Sequence, residues 1–334
     1  MKAFGFTSNS SDPILVEQAT PTATGNDLLI AIEAIAVNPV DTKVKASINQ
    51  ALASPKIVGW DAVGTVIETG NDVDLFTVGD RVFYAGDVGR SGCYASHQLV
   101  DQRIVGLAPK SLSAEQAAAM PLTSLTAWEA LFSRLKITAE CDAGKNILII
   151  GGAGGVGSIA IQLAKKIAKL NVITTASRSE SERWCVKQGA DHVINHHADL
   201  VLQYRSLGLA DPDYIVCLNN TDRHFKSMAE LIAPQGMICS IVGTQQKHDL
   251  DCLKSKSAGF VWEFMFTRPM FKTNDMSQQG HILTQVSHLL DKGELNSTLT
   301  EIIGPITAEN ITLAHDKLVS GNTIGKIALT AICD

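Results

Sequence analysis

The 334 residues carry 28 Lys and Arg against 34 Asp and Glu, and the net charge of −6 excludes a general affinity for nucleic acid or an anionic membrane. Hydrophobic residues make up 45% and charged residues 19%, the composition of a folded globular chain and not of a disordered one. No apolar run approaches the roughly 18 residues of a membrane span, and MKAFGFTSNSSDP lacks the apolar segment of a signal peptide, so a cytoplasmic protein is expected.

Residues 1–110 read as short strands and turns. KAFGF, DLLIAIEAIAV and AVGTVIETG carry period-2 or continuous apolar patterns divided by Gly, Pro, Asn and Asp. YASHQLV and RIVGLA continue an all-β pattern that suits a small barrel. Helical signals begin after Pro109, where Ser113 and Gln116 form a capping box ahead of the longer helix LTSLTAWEALFSRL.

From 146 to about 245, strands and helices alternate, which implies parallel strands joined by right-handed crossovers. The first strand, ILII, runs into Gly152-Ala153-Gly154-Gly155-Val156-Gly157 and then into a helix with apolar positions at Ile159, Leu163, Ile167 and Leu170. That turn matches G-x-G-x-x-G in its proper strand–turn–helix setting. Its glycines allow a tight turn and a close approach of backbone to pyrophosphate, and the helix N-terminus faces negative charge. A dinucleotide site is expected here. The next strand ends TTASRS with no carboxylate before Glu180, so nothing acidic awaits a ribose 2′-hydroxyl. Ser177 and Arg178 instead suit a 2′-phosphate, which predicts NADP (NADPH) over NAD.

Asn219, Asn220, Val242 and Thr244 follow strand ends, where such sheets expose ligand-binding loops. Lys326 reads as a contact to cofactor phosphate or ribose, or as a surface lysine. Trp262, Phe264 and Phe266 alternate at period 2 and predict an aromatic face. A helix at HILTQVSHLLDKG and a closing strand KIALTAI complete the chain. The length predicts two domains, and seven cysteines without regular spacing predict free thiols in a reducing compartment.

Several segments in order carry a resemblance: AVNPVDTK (36–43), GWDAVGTVIETG (59–70), GDRVF (79–83), PLTSLTAWEAL (121–131), GGAGGVGSIAIQLAK (151–165), GADHVIN (189–195) and GKIAL (325–329). Over essentially its whole length the chain resembles the medium-chain dehydrogenase/reductase superfamily, in its quinone-oxidoreductase-like branch, and looks most like the subgroup labelled zinc-type alcohol dehydrogenase-like proteins. The resemblance implies an α/β protein in which a Rossmann doubly wound parallel sheet (123–294) is inserted in a GroES-like β-barrel catalytic domain (1–122, completed by 295–334). It further implies hydride transfer to a quinone, enone or other activated carbonyl as small-molecule substrate, and a homodimer joined near 255–270.

The same resemblance assigns residues. Asn38 and Asp41 match the lining of a nicotinamide pocket, Thr126 matches a contact at the nicotinamide end, and His196 matches an aromatic near the adenosine phosphate. Zinc-containing members place Cys, His and Cys where this chain has Asp41, Asp61 and Leu122, so no metal is expected. Cys93 and His97 form a C-x3-H pair more in keeping with ordinary packing. Tyr84 and Tyr94 remain proton-donor candidates. A zinc alcohol dehydrogenase and a non-catalytic NADPH-binding sensor are the alternative readings.

Overall fold

The computed structural model describes residues 1–8, 12–50 and 52–332. Two compact units emerge: Met1–Leu125 together with the chain from Phe266 onward, and Thr126–Met265.

In the second unit, six parallel strands form a sheet in the order His192–Ile194, Asn171–Thr175, Asn146–Ile150, Tyr214–Cys217, Met237–Ser240 and Gly259–Trp262. Relative to chain order this is 3-2-1-4-5-6, the doubly wound dinucleotide-binding arrangement, with Asn146–Ile150 at its centre. All five residues of that strand are buried, because a strand covered on both faces needs apolar side chains on each. The core between the strands and their crossovers is built from Leu148, Ile173, Ile215, Phe225, Met228 and Ile238, among others.

The helix from Pro121 passes at Glu129–Arg134 into π form. There a buried carboxyl pair meets one guanidinium: Arg134 Nε lies 2.7 Å from Glu263 Oε2 and its second nitrogen 3.9 Å from Glu129 Oε2. Burial, and then the neighbouring Glu129, push the Glu263 carboxyl up to about 8.

The first unit holds a barrel-like sheet in the order Leu299–Pro305, Lys326–Thr330, Asp27–Ala36, Ala62–Thr69, Arg81–Tyr84 and Val105–Leu107, with His97–Asp101 also pairing to Asp27–Ala36. All of these pairs are antiparallel except the first. Ser113 caps Ala114–Ala118 with Gln116 in the expected capping box. The second boundary falls at Met265/Phe266 and not at 294/295. The helix Gln278–Asp291 packs on Val105–Leu107 and so joins the barrel unit.

The expected aromatic alternation stops at the end of its strand. The sheet ends at Trp262, and Phe266 turns into the core at 2% exposure while Trp262 and Phe264 are each 47% exposed. Six cysteines are free thiols, and Cys333 lies outside the described residues. No helix among the described residues is long and apolar enough to cross a membrane.

Candidate active site

The glycine turn connects Asn146–Ile150 to the helix Gly155–Gln162, with Gly154 as its N-cap. A side chain is excluded where the backbone is closest. A Cβ on Gly152 would lie 2.0 Å from Thr174 Oγ1, and one on Gly157 would lie 2.3 Å from the carbonyl of Gly151. Gly154 differs: its nearest neighbour is 3.9 Å away, so the space above the helix N-terminus stays open. The neighbouring strand braces the turn, since Gly151 N–H donates to Thr175 Oγ1 (3.0 Å) and Gly152 N–H donates to the Thr175 carbonyl (3.1 Å). With its free helix amides, this turn fits the pyrophosphate of a dinucleotide.

The other cofactor candidates ring the carboxyl end of the same sheet. Ser177 is half-buried, and Arg178 is exposed at the start of the helix Ser179–Gln188. The His196 ring lies tilted against His197 (4.5 Å between rings) and lines a cavity of about 380 Å³ with Arg205, Arg223 and His224. Asn219 is exposed, and its Cβ lies 3.4 Å from where a Gly151 side chain would begin. Val242 accepts a hydrogen bond at its carbonyl from Thr221, and Thr244 follows, half-buried. Thr126 is 5% exposed in the helix from Pro121.

In the barrel unit, Asn38, Asp41, Asp61 and Lys326 form one buried polar cluster, none more than 4% exposed. Asn38 sits as N-cap of the helix Pro39–Ala46, and Asp41, three residues on, accepts from the Asn38 backbone N–H at 2.9 Å. Lys326 Nζ donates to the Val37 carbonyl (2.8 Å), to Asn38 Oδ1 (2.5 Å) and to Asp61 Oδ2 (3.0 Å). Asp61 also receives Asn38 Nδ2 (2.9 Å) on Oδ2 and the Leu122 backbone N–H (2.8 Å) on Oδ1. All these partners donate, so Asp61 is the ionised carboxylate that neutralises the ammonium.

Asp41 is left without a cation of its own. Burial above all, opposed by the Asn38 N–H, the Tyr94 hydroxyl and the charge of Lys326, pushes its carboxyl up to about 7. Tyr94 donates to Asp41 Oδ2 at 2.9 Å and meets His315 Nε2 at 2.8 Å. Burial holds the Tyr84 and Tyr94 phenols well above their ordinary range, and the Tyr84 hydroxyl has no partner.

Two expectations change here. An ammonium has three donors, and those of Lys326 are all used inside the barrel unit, so it is not a surface residue. Asn38, expected to line a nicotinamide pocket, has both side-chain polar atoms engaged by Asp61 and Lys326. The sequence reading missed His315, a lone histidine on the buried face of Ala308–Val319. Cys93 is buried with its thiol 3.5 Å from the Asp61 carbonyl, and His97 pairs with Ser96. No group of three or more His, Cys, Asp or Glu among the described residues is placed to hold a metal ion.

The fold and its nucleotide turn define an oxidoreductase with a pyridine-nucleotide-binding domain, and the chain belongs to the medium-chain dehydrogenase/reductase superfamily. Residues 24–118 match the alcohol dehydrogenase GroES-like domain, and residues 155–268 match the zinc-binding dehydrogenase family. The chain is 44% identical over 315 residues to a zinc-type alcohol dehydrogenase-like protein of Staphylococcus aureus (strain COL), covering 94% of this chain and 93% of that one. A Rhizobium etli CFN 42 protein assigned by name to the zinc-dependent alcohol dehydrogenases superimposes with a TM-score of 0.95 at 43% identity, over 100% of this chain and 99% of the other. The quinone oxidoreductase of Coxiella burnetii matches with a TM-score of 0.80 at 27% identity, over 99% of each chain.

Proposed function

We propose that this oxidoreductase reduces a quinone, enone or other activated carbonyl with NADPH and without zinc. The observation that carries the reading is the Asp61–Lys326 ion pair. A catalytic zinc needs three protein ligands and an open fourth position. The positions that would supply them hold Asp41, Asp61 and Leu122. Both Asp61 oxygens are already occupied, one of them by an ammonium at 3.0 Å, and Leu122 offers only a backbone N–H. These residues do not fit a zinc ion, although both the matched family and the relatives carry zinc in their names.

NADPH does fit. The amides at Gly154 to Gly157 and the open space at Gly154 suit the pyrophosphate, and Ser177 and Arg178 suit a 2′-phosphate, with His196 following the strand paired to theirs. Asn219, Val242 and Thr244 stand at the strand ends from which the nicotinamide would be approached. When bound, NADPH supplies the hydride. The chain's own work is then orientation, exclusion of water and stabilisation of negative charge on the substrate oxygen. Asp41, protonated up to about pH 7, is the group best suited to hold the proton that must follow the hydride. Thr126 is assigned to the nicotinamide end. Asn38 and Lys326 position the cluster instead of meeting substrate.

A homodimer is part of the reading, supported by the open edge strand Gly259–Trp262 and the exposed Trp262 and Phe264. A cytoplasmic location is supported by six free cysteines among the described residues.

The test is NADPH oxidation followed by absorbance, with a small quinone panel, a 2-enone and an aldehyde, beside NADH and chelator-treated samples. Turnover of a quinone or enone with NADPH, indifferent to chelator, is expected. Turnover of an alcohol that is lost with chelator and restored by zinc would replace this reading with a zinc alcohol dehydrogenase.

A further inference from the structure

The helices Leu200–Ser206 and Thr221–Leu231 pack against each other in the nucleotide-binding unit, and residues of both line the cavity of about 380 Å³. Small-molecule sites begin at about 300 Å³. Positions three and four apart share one face of a helix, so Arg223, Lys226, Ser227 and Glu230 of the second helix all reach this cavity. Leu200 and Val201 of the first helix, 4% and 8% exposed, give it an apolar wall.

The polar groups around the cavity are unevenly committed. Both acids are taken: Asp199 Oδ1 accepts from the Leu202 N–H at 2.9 Å, and Glu230 Oε1 pairs with Arg205 at 3.0 Å. The donors are not. Among the described residues, the side chains of Lys226 and Ser227 have no hydrogen bond or ion pair, and Arg223 has one long contact, 3.4 Å to His197 Nδ1. His224 is 5% exposed, and its ring has no hydrogen-bond partner either. His196 Nδ1 is buried and unpartnered.

A buried polar group left unpaired is costly, and here several donors around one cavity are left so together. Burial first, and then the charges of Arg223, His196 and His197, hold the titration of His224 down to about 4. Its ring is therefore neutral near pH 7 and carries one N–H.

We propose that this cavity binds a small phosphate monoester, at a site separate from that of the cofactor. The uncommitted groups are donors and cations, and a phosphate brings only acceptors and negative charge. Its charge of about −1.5 to −2 matches the two cations Arg223 and Lys226, where a single carboxylate would leave one of them over. Arg223 has the planar fork for two parallel bonds to phosphate oxygens, Lys226 adds a point charge, and His224 and Ser227 add neutral donors. Leu200 and Val201 face the organic part of the ester, which a bare phosphate ion lacks. Of the residues assigned to NADPH, His196 lines this cavity, whereas the glycine turn, Ser177, Arg178 and Asn219 do not. The site therefore stands independently of the hydride transfer proposed above.

The test is isothermal titration of the whole protein with phenyl phosphate, inorganic phosphate and phenol, repeated in the presence of saturating NADPH. Phenyl phosphate is expected to bind about fivefold or more tighter than inorganic phosphate, and phenol not to bind. NADPH should change the affinity for phenyl phosphate by less than about twofold. Arg223→Ala and Lys226→Ala, both at exposed positions, should each weaken phenyl phosphate about tenfold and leave NADPH affinity within about twofold. In proton–carbon NMR spectra, the His224 ring, assigned through His224→Gln, should shift on addition of phenyl phosphate, while the exposed His281 of the barrel unit should not. No binding of phenyl phosphate up to about 10 mM, its displacement by NADPH, or full affinity in both alanine variants overturns the proposal. Equal affinity for inorganic and phenyl phosphate overturns the ester and assigns the cavity to the free ion. No arm reads turnover, so a failure of the proposed reduction is seen separately.

Discussion

Lys326 Nζ lies 3.0 Å from Asp61 Oδ2, with side-chain exposures of 4% and 0%. A buried carboxylate at this place would be prohibitive alone, and the ammonium stabilises it. Removing the ammonium leaves the carboxylate uncompensated. Lys326→Met is expected to lose about 3–5 kcal/mol of stability by denaturant unfolding, and Asp61→Asn in the same chain should recover part of it. A loss under about 1 kcal/mol would show that the pair contributes little.

The glycine turn separates structural from binding roles within six residues. Gly157→Ala drives a Cβ to 2.3 Å from a backbone carbonyl, so it should lower Tm and cost about 1–3 kcal/mol. Gly154→Ala meets nothing nearer than 3.9 Å and its φ of −72° suits alanine, so Tm should hold. NADPH affinity, read by fluorescence titration, should nonetheless fall about tenfold or more, because the added methyl occupies the space left for pyrophosphate. Unchanged affinity in Gly154→Ala would place the cofactor elsewhere.

Arg178 stands exposed at the end of the second strand of the parallel sheet. A charge-assisted hydrogen bond to a phosphate contributes about 1.5–3 kcal/mol, so Arg178→Ala should weaken NADPH by about tenfold to a hundredfold. NADH, which lacks the 2′-phosphate, should bind as before. Isothermal titration of both cofactors checks this, and equal losses would remove Arg178 from the site.

Glu263 shares its buried place with Glu129, and its carboxyl titrates near 8 against 4.5 when exposed. Between those values the folded chain keeps a proton that the unfolded chain has released, so stability falls as pH rises from about 4.5 to 8. Glu263→Gln keeps an acceptor for Arg134 and removes the titration. Its Tm should match wild type at pH 5 and exceed it at pH 9, by on the order of 2–4 kcal/mol of stability. A parallel pH dependence in the two proteins would contradict the shared proton.

What the sequence revealed follows the range of the interactions. The strand Asn146–Ile150, its glycine turn and the Ser113 cap depend on neighbours within a few residues, and each stands where the pattern placed it. Lys326 was misread because its partners Asp61 and Asn38 lie 265 and 288 residues away, and its own surroundings, IGKI, say nothing of burial. His315 escaped notice for the same reason: a lone histidine in an amphipathic helix carries no signal until Tyr94, 221 residues earlier, is brought to it. Phe266 broke the aromatic alternation because period 2 holds only while the chain remains a strand, and that strand ends at Trp262.

The barrel strand Lys326–Thr330 lies between Leu299–Pro305 and Asp27–Ala36, so one early strand waits for a neighbour made almost 300 residues later. At about 5–20 residues per second, the ribosome leaves that edge uncovered for roughly 15–60 s. The inserted unit Thr126–Met265 is complete well before then. Order of synthesis therefore makes the nascent chain a two-speed object, its nucleotide-binding part able to fold first and its barrel still open. Chaperone dependence belongs to that interval and to the exposed backbone of Ala34–Ala36, the residues whose second edge only the late strand pairs.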